Sequence, residues 1–65
     1  MRGWITVNRI VKARNGDKGY AATINIAQIR YYEDHNDGGS VISFSNEDYI
    51  RVKETPAELA ALMRE

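Results

Sequence analysis

Alternating polar and apolar positions predict a β-hairpin at the start of the chain. Residues 4–11 are rich in β-branched side chains and place Ile5, Val7 and Val11 on one side of a strand. Asn15-Gly16 favours a tight turn, because both residues tolerate a positive φ. Every second residue of 20–26 is apolar or aromatic, so this run predicts the partner strand.

The pattern changes after this hairpin. Ile26 and Ile29 are three positions apart, which suits one helical turn, and Asn25 is suited to cap that turn. Three more strands are predicted, at 29–33, 40–45 and 49–53, with a polar turn at 34–39. An alternative interpretation counts four strands, with the first region partly irregular.

A short helix is predicted over about 56–64. Thr55 and Glu58 form a capping box around Pro56, which suits the first helical position. The i, i+3, i+4 spacing of apolar residues gives the helix one apolar stripe, formed by Leu59, Leu62 and Met63. Because a helix this short is not stable alone, it must dock on the sheet or on another copy.

These elements predict a single domain of residues 1–65 in the mainly β (α+β) class. The expected architecture is a strongly bent antiparallel sheet, or small open barrel, of four to five strands with a short C-terminal helix. The expected core consists of Ile5, Val7, Ile24, Ile26, Ile29, Ile42, Phe44, Ile50, Val52, Leu59 and Leu62.

Composition narrows the classes of protein. The chain has 65 residues and no Cys, which excludes disulfides and cysteine-based zinc sites. A hydrophobic fraction of 43% suits a globular domain, whereas no apolar run approaches the length that spans a bilayer. With no signal-peptide pattern either, we expect a cytoplasmic protein that has no contact with membranes.

The small size predicts self-association. A domain of this length has few interior positions and no crosslink to supplement them, so a homo-oligomer or an unidentified protein partner is expected. The residues expected to form the interface are the aromatic side chains outside the predicted core and the end of the helix stripe. They are Trp4, Tyr31, Tyr32, Tyr49, Leu62 and Met63.

Charge is balanced overall but divided between the two halves. Residues 1–30 hold six basic residues and one acidic residue, a net +5, while 31–65 hold three basic and eight acidic residues, a net −5. One interpretation is that strands from the two halves pair opposite charges across the sheet. The other is a two-poled surface that favours head-to-tail association or a charged partner.

The basic first hairpin supports an alternative function, a small nucleic-acid-binding β domain. Its candidate contact residues are Arg9, Lys12, Arg14 and Lys18. Small β barrels that bind single strands combine such a basic groove with stacking aromatics. Zero net charge and the acidic second half argue against it.

The sequence carries no recognisable catalytic or metal-binding motif. His35 has no Ser nucleophile at a catalytic spacing, so we expect a protein that is not an enzyme. The acidic turn from Asp34 begins like a calcium loop, but its fifth position is Gly38, which has no side-chain ligand, and its twelfth is Ser45 instead of a bidentate Glu. No cofactor or metal is therefore expected.

Most of the chain resembles the FlbD-type small flagellar proteins and similar short proteins of bacteria and phages. The similarity lies in Asn25-Ile-Ala-Gln-Ile29, in the strand 41–44, and in the run Tyr49-Ile-Arg-Val-Lys-Glu-Thr-Pro-Ala-Glu-Leu59. The resemblance implies a strand hairpin, a turn, further strands and a short amphipathic helix. It also implies a non-enzymatic cytoplasmic protein that supports motility. It transfers no functional site.

Overall fold

The computed structural model describes residues 3–64, which form one five-stranded antiparallel sheet and a C-terminal helix. The strands are β1 (Trp4–Val11), β2 (Lys18–Asn25), β3 (Ile29–Asp34), β4 (Ser40–Phe44) and β5 (Tyr49–Val52). A 3-10 turn, Ile26–Gln28, joins β2 to β3, and the helix α1 is Pro56–Arg64. The mainly β class, the five-strand interpretation and the C-terminal helix are thus confirmed.

The order of strands in the sheet is β2-β1-β5-β4-β3. β1 pairs with β2 along its full length but meets β5 through only two residue pairs, Arg9 with Val52 and Ile10 with Arg51. β4 lies between β5 and β3 and pairs with both. The sheet therefore consists of a long hairpin and a three-stranded meander that are joined by a short seam.

The 3-10 turn makes the sheet curl. It connects the two edge strands, which in a flat five-stranded sheet would lie about 19 Å apart, or four spacings of about 4.8 Å. Three residues rising about 2 Å each cannot span that distance. Asn25 Oδ1 accepts a hydrogen bond from Ala27 N–H at 3.0 Å, and the Gln28 carbonyl accepts one from Ser45 N–H at 2.8 Å. The predicted Asn25 cap and the strong bend of the sheet are both present.

The core lies on the concave side of the curled sheet. Its fully buried members are Ile5, Val7, Ile42, Val52 and Leu59. The hydrophobic residues packed around them, each partly buried, are Ala22, Ile24, Ile26, Ile29, Tyr32, Phe44, Ile50, Leu62 and Met63. Every residue of the expected core belongs to one of these two groups.

Tyr32 corrects the prediction that it lies outside the core. A β-bulge in β3 between Ile29 and Tyr31 inserts one extra residue. The bulge shifts the alternation, so that Ile29 and Tyr32, three positions apart, both face the core. Tyr32 lies opposite the fully buried Ile42.

The helix begins as the sequence predicts. Thr55 Oγ1 accepts a hydrogen bond from Glu58 N–H at 3.2 Å, and Glu58 Oε1 accepts one from Thr55 N–H at 3.0 Å. This reciprocal capping box satisfies two donors that the first turn would otherwise leave unpaired. The helix then buries Leu59 completely in the core.

Glu54 joins the hairpin to the rest of the domain. Its carboxylate accepts from Asn8 N–H, at 2.9 Å and 3.1 Å to the two oxygens, and from Asn8 Nδ2 at 2.8 Å. The Glu54 carbonyl accepts from the hydroxyl of Ser40, a fully buried residue, at 2.8 Å. Lys53 N–H donates to the Asn8 carbonyl at 2.9 Å. Glu54 thus extends the β1–β5 seam beyond its two residue pairs and links it to β4.

Replacing Glu54 tests this junction. We expect Glu54→Gln to lower the free energy of unfolding by about 1–2 kcal/mol, because the amide removes the negative charge that strengthens both bonds from Asn8 and replaces one of the two acceptor oxygens with an NH₂ donor. The measurement is urea denaturation. The control is Glu33→Gln, an exposed acid on β3, which is expected to stay within about 0.5 kcal/mol of the wild type. Equal effects of the two substitutions would contradict the junction.

Candidate functional site

A cleft of about 540 Å³ opens between the end of β2 and the β4–β5 turn. Three half-buried apolar side chains line it, Ile24, Phe44 and Ile50. The polar residues around it are Arg9, Asn25, Gln28, Asn46, Asp48 and Tyr49. The cleft thus combines a small apolar surface with several polar groups, and sites for small molecules use both kinds of lining.

One wall of the cleft is the β4–β5 turn, whose geometry is strained. Glu47 N–H donates to the Phe44 carbonyl at 3.0 Å, and Phe44 N–H donates to the Asp48 carbonyl at 2.8 Å. This arrangement places Glu47 at φ +72°, in the left-handed region that favours glycine. The β3–β4 turn has the same pattern between His35 and Gly39, but there the equivalent residue is Gly38, at φ +96°.

Asn46 fixes the acidic group of the cleft. Its Oδ1 accepts from Asp48 N–H at 3.2 Å, and its Nδ2 donates to Asp48 Oδ2 at 3.1 Å. The Asp48 carboxylate is therefore held at the cleft with part of its acceptor capacity already used.

The opposite wall presents hydrogen-bond donors. Asn25 Oδ1 is bonded to Ala27 N–H, and Gln28 Oε1 accepts from the Ser45 hydroxyl at 2.6 Å. With both oxygens engaged, the NH₂ groups of Asn25 and Gln28 are the donors that remain. The Arg9 guanidinium adds a full positive charge, and no carboxylate of residues 3–64 lies within 4.0 Å of it.

Two of the predicted interface residues form one row on the outer face of the sheet, the face opposite the core. Tyr31 and Tyr49 lie on either side of Ser43 in the cross-strand register. They are 51% and 73% exposed, and the Arg30 guanidinium lies 5.9 Å from the centre of the Tyr31 ring. This row is a small exposed aromatic surface.

The other predicted interface residues lie elsewhere. Trp4 is 58% exposed, but it belongs to the hairpin, opposite Asn25. Tyr32, Leu62 and Met63 pack against the core. The six residues therefore do not form one continuous surface, and their role as an interface stays a prediction.

The structure brings two basic residues of the first hairpin onto one face with an aromatic ring. Arg9 lies opposite Tyr20, and Lys18 lies opposite Val11 on the same face. Lys12 and Arg14 are exposed in the connecting loop. The ion pair found between the two halves of the chain joins Arg51 to Asp17 at 3.6 Å. It takes its acid from the basic first half and its base from the acidic second half, so it does not neutralise the excess charge of either half. Within residues 3–64, the basic hairpin is therefore not neutralised by close acidic partners.

The free edge of β2 is a feature that the hydrophobic pattern does not reveal. Ile26 N–H donates to the Gly3 carbonyl, which fixes which residues of β2 turn their backbone groups toward β1. The alternation then turns the N–H and C=O groups of Gly19, Ala21 and Thr23 outward. None of the residues 19–25 is charged, and those from 18 to 21 are exposed.

The other edge of the sheet is protected. β3 carries Arg30, Glu33 and Asp34 within six residues, and it contains the bulge. Charges and bulges are the usual devices that keep an edge strand from pairing with another chain. A comparison of charge between the two edge strands would have pointed to β2 once the strand order was known.

No family model, curated protein or solved structure matches this chain. The FlbD-type resemblance, with the flagellar role it implies, therefore stays a prediction. Among residues 3–64, α1 is nine residues long and no helix is long and apolar enough to cross a membrane. The same residues contain no cluster of three or more His, Cys, Asp or Glu side chains suited to a metal ion.

The strain at Glu47 is testable. We expect Glu47→Gly to raise the free energy of unfolding by about 1 kcal/mol, because glycine adopts the left-handed conformation without the steric cost of a Cβ. Glu47→Ala removes the same carboxylate but keeps the Cβ, and it should leave stability nearly unchanged. Thermal and urea unfolding measure both. A gain shared by the two variants would assign the effect to the charge instead of the backbone.

Proposed function

We propose that this protein is a non-enzymatic cytoplasmic interaction module that self-associates through the free edge of β2. The observation that carries the proposal is an exposed edge strand with no charge between Gly19 and Asn25, on a sheet whose other edge is protected. Unpaired N–H and C=O groups in such a strand are a template for strand addition.

A second copy fits this edge in an antiparallel register. If Ala22 lies on the two-fold axis, Ala21 faces the partner's Thr23, and the outward N–H and C=O groups of both residues form a ladder. Tyr20 then faces the partner's Ile24, an aromatic and β-branched pair of a kind that stabilises sheets. Lys18 lies at the end of the strand, far from its own symmetry mate, so no like charges meet.

The size of the domain supports the same proposal. Only five hydrophobic residues are fully buried among residues 3–64. A domain this small buries a modest share of its chain surface, and oligomerisation is a common way to add to it. Joining two β2 edges would create one continuous sheet and bury Tyr20, which is 53% exposed in the isolated chain.

Paired charges at positions 21 and 23 test this register. Both side chains are exposed and lie on the outer face, so substitutions there keep the β1–β2 ladder. We expect sedimentation to show a dimer for the wild type and at least tenfold weaker association for Ala21→Lys/Thr23→Lys, which opposes like charges twice across the axis.

The matched control is Ala21→Glu/Thr23→Lys, which makes the same number of substitutions but sets opposite charges across the axis. This variant should remain a dimer. A wild type that stays monomeric at millimolar concentration would refute self-association. Equal loss of association in both variants would refute the proposed register.

A second candidate function, the binding of single-stranded nucleic acid, is favoured by the juxtaposition of Arg9, Lys18 and Tyr20 on one face. A positive groove beside an aromatic ring is how β domains hold single strands. Arg9→Glu/Lys18→Glu should abolish the binding of a short oligonucleotide at low salt, whereas Arg30→Glu/Arg64→Glu, on β3 and α1, should reduce it less. Absence of binding by the wild type at low salt would exclude this function.

A further inference from the structure

We infer that the cleft between β2 and the β4–β5 turn binds a carboxylate group carried on an apolar body. This inference does not depend on self-association, since the groups that carry it act within one chain. It uses the polar and apolar residues that line one cavity of about 540 Å³.

The donors of the cleft select the charged group of the ligand. Arg9 supplies a guanidinium that is exposed and free of acidic partners within 4.0 Å among residues 3–64. Guanidinium groups bind carboxylates with two parallel hydrogen bonds, a geometry that an ammonium group cannot match. The NH₂ groups of Asn25 and Gln28 add neutral donors, because their oxygens are bonded to Ala27 N–H and the Ser45 hydroxyl.

The apolar lining selects the rest of the ligand. Ile24, Phe44 and Ile50 come from three different strands and are half-buried, so each presents apolar surface to the cleft. An alkyl or aromatic group against these side chains would remove that surface from water. A carboxylate without an apolar body would leave it exposed.

The negative charge of Asp48 works against the binding of a carboxylate. Its removal therefore tests whether the cleft prefers an anion. It is the acidic residue lining the cleft, and Asn46 Nδ2 donates to its Oδ2 at 3.1 Å. The Arg9 guanidinium and the NH₂ groups of Asn25 and Gln28 are thus accompanied by a single carboxylate, which already accepts from Asn46. The positive charge and the neutral donors favour the binding of an anion over that of a cation. The charge of Asp48 lowers the affinity for the anion by repulsion.

The experiment is a two-dimensional NMR titration of the isotope-labelled full chain with three probes that share one body. These are 4-phenylbutyrate, neutral 4-phenylbutanol and cationic 4-phenylbutylamine. We expect 4-phenylbutyrate to bind most tightly and to shift the side-chain signals of Arg9, Gln28 and Ile50. Raising the salt concentration should weaken the carboxylate more than the alcohol.

Three substitutions assign the effect. Arg9→Gln should weaken the binding of 4-phenylbutyrate at least tenfold, the loss expected for a charge-assisted hydrogen bond. Asp48→Asn should strengthen it a few-fold, because a like charge is removed while the amide pairing with Asn46 remains available. Arg30→Gln changes the charge equally outside the cleft and should have little effect.

A peptide ligand distinguishes two kinds of molecule that carry a carboxylate on an apolar body, a peptide C-terminus and a free organic acid. N-acetyl-Ala-Phe with a free C-terminal carboxylate is compared with its C-terminal amide. Tighter binding of the acid than of 4-phenylbutyrate would indicate that the cleft reads a peptide terminus, and weaker binding would indicate a free organic acid. Either result requires the acid to bind more tightly than the amide. Equal binding of the butyrate, alcohol and amine, preference for the amine, or shifts confined to other surfaces would overturn the inference.

Discussion

The hydrogen bonds of Glu54 hold the two parts of the sheet together. β1 and β5 share only two residue pairs. Beyond them, the carboxylate of Glu54 accepts from the backbone and side chain of Asn8 and so continues the contact between the two strands. Its carbonyl meanwhile accepts from buried Ser40. Because Thr55 follows directly and caps α1, the same segment also sets where the helix starts and how Leu59 enters the core. The cleft in turn depends on the hairpin being held over the meander, since Arg9 lies on β1 and Asp48 in the β4–β5 turn.

Local chemistry made much of this fold predictable from the sequence. The capping box of Thr55 and Glu58, and the Asn25 cap of the 3-10 turn, involve residues two or three positions apart, so their partners are visible in the sequence. The bulge in β3 was not predictable, because it depends on the register against β4. Tyr32 was therefore predicted to lie outside the core, although it packs against it.

The candidate cleft was harder to predict, since its parts come together only in the folded chain. Arg9 was singled out for its charge, yet nothing in the sequence indicated that Asp48 or Gln28 would line the same cavity. The orientation of the Gln28 amide is set by a hydrogen bond from Ser45, 17 positions away. The β2 edge likewise can be recognised only once the strand order shows that β2 has no second neighbour among residues 3–64.

The short seam between β1 and β5 has a consequence for the kinetics of folding. The β1–β2 hairpin and the β3–β4–β5 meander each form from contacts that are close in the chain, whereas Asn8 and Glu54 are 46 positions apart. Closing that long loop costs conformational entropy. The two β1–β5 residue pairs and the hydrogen bonds of the Glu54 carboxylate offset this cost. We therefore expect the docking of the hairpin onto the meander to limit the rate of folding, with a barrier set by chain topology more than by the composition of the core.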